Sequence, residues 1–328
     1  MRFPESSEPR ESRRLRRAAA ALPAAVLAIS LLSGATPGTA AAAPAGALAA
    51  APAVVATAPG EAQVRKELRA LESAFQGRIG AYAVDTATGK TLTYRAGERF
   101  ALLSTFKAPL CAAVLHKART AEPGLMGKLI KWTTDDLTPG SPVTEKHVED
   151  GLTVAQLCEA ATSVSDGTAS NLLLRQIGGP AGLTRYFRSL KDPVSRMDRW
   201  HPALNDWTPK DRRDTTTPAA IAADLRLLAL GDALHPEDRK QFVAWLLANK
   251  TGSNRIRAGL PKTWTIADRT GTNSDGFGGG NAIAVIWPGQ DAAPIVMAVY
   301  TNRTPGLPID EKTIARTATA LARGLGKP

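Results

Sequence analysis

Ser104 and Lys107 lie three residues apart in Ser104-Thr105-Phe106-Lys107, where the run Phe106 to Lys117 begins to read as a helix. At the start of a helix that spacing puts the hydroxyl and the amine on one face. A serine alcohol is a poor nucleophile until a neighbour takes its proton, and an amine with a lowered pKa can do so. The helix N-terminus adds free N–H groups and a positive dipole end, which favour a developing oxyanion. The chemistry indicated is acyl transfer through a serine ester. Taken alone the pair is weak evidence, because S-x-x-K occurs by chance on many soluble helices.

Other polar clusters follow in order. Ser165-Asp166-Gly167 comes 61 residues after Ser104, and Arg269-Thr270-Gly271-Thr272 falls on a strand near the chain end. Between them, Arg199 and Asp214 bracket a segment containing His201 and Asn205, and their opposite charges could pair to pin it as an Ω-type loop. The remaining histidines, His116, His147 and His235, have no i, i+4 partner and no Cys/His neighbours, so neither a zinc site nor any other cofactor is expected. Gly276-Phe277-Gly278-Gly279-Gly280 lacks the Lys-Ser/Thr ending of a phosphate loop.

The elements that must position these groups fall into three blocks. Glu61 to Phe75 is an amphipathic helix, and Arg78 to Val84 with Thr91 to Tyr94 reads as a hairpin. A helical block follows: Phe106–Lys117, Thr153–Ala161, Thr168–Gln176, Gly182–Leu190, Pro218–Leu230 and Pro236–Asn249. Strands return at Trp264–Ala267, Asn281–Trp287 and Ile295–Tyr300, and Asp310–Leu325 closes as a helix. Strands at both ends with helices between them give an α+β fold: an antiparallel sheet built from both chain ends, flanked by helices, with an all-helical lobe. The sheet lobe is expected at about 61–100 and 250–328, the helical lobe at about 101–249.

In this order the clusters resemble the S-x-x-K, S-D-N and K-T-G signatures of the class A β-lactamases. The similarity runs from about Glu61 to the C-terminus and takes in Phe100 to Lys107, Ser141 to His147 and Arg199 to Asn205. The resemblance implies that Ser104 attacks the lactam carbonyl with Lys107 in its proton network. It implies that the N–H groups of Ser104 and Thr272 form the oxyanion hole and that Ser165 protonates the leaving nitrogen. Asp166 would brace the helix junction. A β-lactam carries a carboxylate, which Arg269 and the hydroxyls of Thr270 and Thr272 would receive. Arg255 resembles a position from which some members supply a second cation; a structural ion pair is the alternative.

Three positions depart from the pattern. Gly167 replaces the usual Asn and removes an amide that would bind the substrate's side chain. Arg269 replaces Lys and keeps the charge. His201 stands where the family has the glutamate that activates the deacylating water, while Asn205, which would help hold that water, is retained. An imidazole near Lys107 and Arg269 is pushed toward its neutral form, and neutral histidine is a competent base near pH 7. Three outcomes therefore stand: a working serine β-lactamase, a protein that acylates and stays acylated, or a DD-peptidase.

Composition bounds the rest. Arg13, Arg14, Arg16 and Arg17 precede the apolar run Ala18 to Leu32 and the small residues Thr39 to Ala42. That is the pattern of a signal peptide over 1–43, of twin-arginine or general type, followed by an Ala/Pro-rich flexible segment over 44–60. The apolar run is shorter than the roughly 20 residues of a membrane span, so a secreted or cell-envelope protein without a stable membrane span is expected. The net charge is +11, of which six arginines and three glutamates before residue 44 supply +3. The remaining basic residues are scattered without aromatic interleaving, which argues against nucleic acid as a partner. A monomer acting on a small β-lactam is expected. Cys111 and Cys158 form an even pair, expected to bridge in an oxidising compartment, with two buried thiols as the alternative; the resemblance favours the disulfide.

Overall fold

The computed structural model describes residues 59–327. The expected signal peptide, and the spacer up to residue 58, lie outside the described residues. The first helix begins two residues earlier than expected.

In chain order, α1 (Pro59–Phe75) leads into β1 (Gly77–Asp85), β2 (Thr91–Tyr94) and the two-residue β3 (Phe100–Ala101). The helical part comprises α2 (Lys107–Thr120), the short strands β4 (Leu129–Ile130) and β5 (Leu152–Thr153), then α3 (Val154–Ser163), α4 (Gly167–Gln176) and α5 (Gly179–Ser189). After β6 (Thr215–Thr216) come α6 (Pro218–Ala229) and α7 (Pro236–Leu247). The chain ends with β7 (Thr265–Asn273), β8 (Gly279–Trp287), β9 (Ile295–Arg303) and α8 (Glu311–Gly324).

The main sheet has the order β2-β1-β9-β8-β7 and is antiparallel throughout. Its middle is the β1–β9 pair, from Gly77 opposite Arg303 to Asp85 opposite Ile295, so the two chain ends close one sheet as expected. Side-chain alternation along β9 decides which core each residue joins. Ile295, Met297 and Val299 pack with Leu68 of α1 and Ile314 and Leu321 of α8. Val296, Ala298 and Tyr300 face the other way, into the core that continues through Phe106, Leu157, Leu172 and Phe242 of the helical part. One apolar core thus reaches from the inner sheet face into the helices, which holds the site between them rigid.

Local signals account for the helix starts. Thr153 and Gln156 make a reciprocal capping box at α3, Asp166 accepts from Ala169 N at the start of α4, and Thr217 caps α6 just ahead of Pro218.

The expected disulfide is absent. Cys111 on α2 and Cys158 on α3 are both free and fully buried. The Cys111 thiol donates to the Cys158 carbonyl oxygen at 3.6 Å, and the two sulfurs are not bonded. Burial holds the Cys158 thiol well above its usual range, so both side chains act as small core hydrophobes.

Candidate active site

Ser104 lies in a 3-10 turn, Leu103–Phe106, that leads into α2 at Lys107. In a 3-10 turn residues i and i+3 eclipse, so the serine and the lysine share one side more closely than an α-turn would allow. Leu103 is buried with φ 46°, a left-handed conformation that costs about 1–2 kcal/mol for a side chain of this kind. The surroundings fix it: Leu102 N donates to Asp214 O at 2.8 Å, and the Thr105 hydroxyl lies 2.7 Å from that of Tyr300. Strand β7 presses against this turn at Gly271. A Cβ there would stand 2.8 Å from Leu103 Cβ and 3.0 Å from Ser104 N, so glycine allows the strand to approach the nucleophile's amide.

Behind Ser104 lies a buried cationic cluster. Lys107 and Arg269 are both fully buried. Lys107 Nζ donates to Ser165 O at 2.7 Å and to Ser165 Oγ at 3.1 Å, and Arg269 Nη2 donates to the same Oγ at 2.6 Å. Ser165 reaches both through a left-handed backbone, φ 68°. Burial, and then the Arg269 charge, hold the Lys107 amine well below its usual pKa. Burial also lowers Arg269, to about 10, which leaves it charged at neutral pH. The chemical consequence is an amine able to act as a base next to a hydroxyl pinned by a permanent cation.

Asp166 has the bracing role expected of it. Its carboxylate accepts from Val143 N, Thr144 N, Thr144 Oγ1 and Ala169 N, at 2.8–3.0 Å. His201 sits on the loop tied by Arg199 and Asp214, whose Nε–Oδ2 ion pair is 2.6 Å long. Asn171 of α4 clamps the histidine backbone from both sides, accepting from His201 N at 3.0 Å and donating to His201 O at 2.8 Å. The His201 ring lies against Gly167, and its Nδ1 is 3.2 Å from Thr138 Oγ1. Burial first, then the Lys107 charge, push its pKa down to about 4. Asn205 lies on the same loop and its carbonyl accepts from Asn273 Nδ2 at 2.9 Å.

Ser104, Ser165, His201, Asn205, Thr270 and Thr272 converge on an open cleft of about 570 Å³. Arg255 does not enter it as a free cation. It is buried, pairs with Glu311 of α8 at 2.9 Å, donates to the carbonyls of Gly271 and Asn281, and reaches the Thr272 hydroxyl at 2.6 Å. It supports β7 from behind and acts on the cleft through Thr272. Sequence reasoning missed Thr138, Asn171 and Thr251. Thr251 lines the cleft and bonds the Thr270 hydroxyl and Arg269. All three come from loops or a helix face with no apolar period or motif to mark them.

A serine beside a buried, depressed amine, under a fixed cation and between a sheet and a helical lobe, defines a serine-reactive acyl hydrolase. Residues 63–325 match the model of the beta-lactamase enzyme family. The chain is 46% identical to beta-lactamase FAR-1 of Nocardia farcinica over 260 residues, 79% of this chain and 82% of that one. It is 47% identical to the carbapenem-hydrolyzing beta-lactamase KPC of Klebsiella oxytoca over 258 residues, 78% and 87% of the two chains. A solved beta-lactamase from Streptosporangium roseum superposes with a TM-score of 0.80 at 66% identity, covering 81% of this chain and all of that one. The chain belongs to the class A serine β-lactamase family. Its activity is hydrolysis of β-lactams, the chemistry of resistance to those antibiotics.

Proposed function

We propose the following division of labour in β-lactam hydrolysis, carried chiefly by one observation: Lys107, buried and depressed, shares the Ser165 hydroxyl with the charged Arg269. Neutral Lys107 takes the Ser104 proton as Oγ attacks the lactam carbonyl. The oxyanion is received by the N–H groups of Ser104 and Thr272, a role supported by the close approach of β7 at Gly271. Ser165 passes its proton to the departing lactam nitrogen, opening the ring, and is resupplied from Lys107. The hydroxyls of Thr270 and Thr272 receive the substrate carboxylate, with the buried Arg269 supplying positive charge from behind Thr270, and Arg255 holds the Thr272 hydroxyl in place. With glycine at 167, that position offers no amide to the substrate's side chain.

Deacylation then requires a base for water, and His201 is that base, with Asn205 beside it. Its low pKa keeps the ring neutral at physiological pH, which supports the role. The protein is exported, as the arginines and apolar run before residue 33 suggest.

A second reading is slow deacylation, favoured by the low pKa of His201, about 4, which makes the neutral ring a weak base. Intact-protein mass after mixing with a penicillin, read beside loss of lactam absorbance, separates the two. Loss of many equivalents without a lasting adduct supports His201 as a working base. One equivalent consumed with a persistent adduct on Ser104 means a deacylation-deficient binder, and no adduct with no loss refutes both.

A further inference from the structure

The hydrogen bonds next to His201 bear on where its proton sits. Ser141 Oγ donates its one proton to Thr138 O, 2.7 Å away, and accepts from Thr168 N at 3.0 Å. It also lies 2.9 Å from Thr168 Oγ1, so the proton between those two hydroxyls must come from Thr168. Thr168 Oγ1 already accepts from Thr138 N at 2.8 Å, and with its own proton spent it can only accept again. Thr168 Oγ1 also lies 3.4 Å from Asp136 O, and the Thr138 hydroxyl can direct its proton to Thr168 Oγ1 at 3.3 Å or to Ser141 Oγ at 3.5 Å. With its proton placed there, Thr138 Oγ1 offers a lone pair to the His201 Nδ1 at 3.2 Å.

We propose that Thr138 is a positioning residue, whose hydroxyl accepts the Nδ1–H of His201 and so holds the imidazole in the tautomer with a bare Nε2. The hydrogen bond at one ring nitrogen decides the protonation of the other. Two further observations aim that Nε2 at the reaction. Gly167 lies against the Nδ1–Cε1 edge of the ring, where a Cβ would stand 2.7–2.8 Å from those atoms. Among the described residues nothing hydrogen-bonds Nε2, and His201 borders the cleft that holds Ser104. Without the threonine hydroxyl the ring is free to take the Nε2–H tautomer, which presents a donor where a base is needed. The consequence for turnover rests on the reading of His201 as the deacylating base; the tautomer itself does not.

The test uses the full mature chain with nitrogen-15-labelled histidine, the His201 signals being assigned by their loss in His201→Gln. Side-chain NMR at pH 7 reads the tautomer, and single-turnover intact mass with a penicillin reads acylation and decay of the adduct. The wild type and Thr138→Ser are expected to show Nδ1–H. Thr138→Val is expected to shift His201 to Nε2–H and slow adduct decay at least tenfold, with acylation within twofold of wild type. A wild type protonated at Nε2 overturns the proposal without any variant having to fold, as does a Thr138→Val protein that keeps Nδ1–H. A shifted tautomer with unchanged adduct decay leaves Thr138 in its role and refutes His201 as the base.

Discussion

Replacing Gly167 by alanine should separate the two half-reactions. The new Cβ would lie 2.7 Å from His201 Cε1, 2.8 Å from Nδ1 and 2.8 Å from Thr138 Oγ1, where ordinary contacts begin near 3.4 Å. Three contacts short by about 0.6 Å amount to overpacking, which costs about 1–3 kcal/mol if the ring stays in place. The ring can avoid that cost by turning away, losing one hydrogen bond worth about 1 kcal/mol. Alanine also returns about 0.5–1 kcal/mol at a helical position. Net stability should therefore change by less than about 1 kcal/mol, while the seated-to-turned ratio, about 5 at the start, falls by the factor of about 5–150 that 1–3 kcal/mol implies, which lowers the seated population by a factor of about 2–25. Adduct decay should slow by that factor and acylation should not, because the atoms nearest the new methyl group belong to His201 and Thr138 and not to Ser104, Lys107 or Ser165. Stopped-flow acylation with a chromogenic lactam, followed by mass-resolved decay of the adduct, reads both steps. A folded Gly167→Ala protein with wild-type decay would refute the steric coupling of Gly167 to His201.

The pH profile of deacylation offers a second check. A base acts when neutral, and burial with the Lys107 charge, opposed by Asp166, holds His201 at about 4. Adduct decay should stay flat from pH 8 to 5.5 and fall only as pH approaches 4, whereas an imidazole at the ordinary value of about 6.5 would lose roughly nine-tenths of its activity by pH 5.5. Asp214→Asn should lower the melting temperature by several degrees and open the 199–214 segment to proteolysis. The buried carboxylate accepts from Asp198 N, Arg199 N and Arg199 Nε at 2.6–2.9 Å, and losing its charge strands a largely buried guanidinium, at about 2–3 kcal/mol. Asp224 is pushed up to about 9 by burial and then by Asp192. It stays protonated in the fold over the range from about 4 to 9 in which the unfolded chain ionises it, so its contribution to stability falls as pH rises. Asp224→Asn should therefore raise the melting temperature more at pH 8 than at pH 5, and an equal effect at both would show that the acid is ionised in the fold.

Elements whose cores are apolar on one side were legible in the sequence. Val64, Leu68 and Phe75 mark the buried stripe of α1, and the helices expected from Thr153 and Pro218 begin at Val154 and Pro218. Apolar periodicity marks strand β7 only from Trp264 to Ala267, and the placement of Arg269–Thr272 on a strand came from no such pattern, because the periodicity stops where the strand becomes functional. Asp268, Arg269 and Thr270 are buried polar residues that bond to partners distant in sequence, such as Arg257, Ser165 and Thr251, and no local pattern signals that. The same cause hid the nature of Arg255. Its charge was visible, but its counter-ion Glu311 lies 56 residues away on α8. The cysteine pair was misjudged for a different reason: composition and compartment say that two thiols could join, not that Cys111 sulfur faces a carbonyl. Thr138 lies in Thr138-Pro139-Gly140-Ser141, a turn sequence whose hydroxyls acquire meaning only when α4 brings Thr168 against them.

Along the sequence, the changes at 167 and 201 look independent, one altering how the substrate is gripped and the other altering the base. In space they are one change. Any side chain at 167 places a Cβ inside the volume of the His201 ring, so the imidazole in this seat requires glycine there. The converse does not hold, since glycine at 167 is compatible with a smaller or more flexible acid at 201. The dependence therefore runs from the base to the glycine, and the loss of a substrate-binding amide at 167 follows from the choice of histidine. With His201 as the proposed base, specificity and deacylation are tied at this site because a Cβ at 167 would meet the ring inside van der Waals distance, which makes the pair, and not either residue alone, the unit whose exchange would restore the family's usual arrangement.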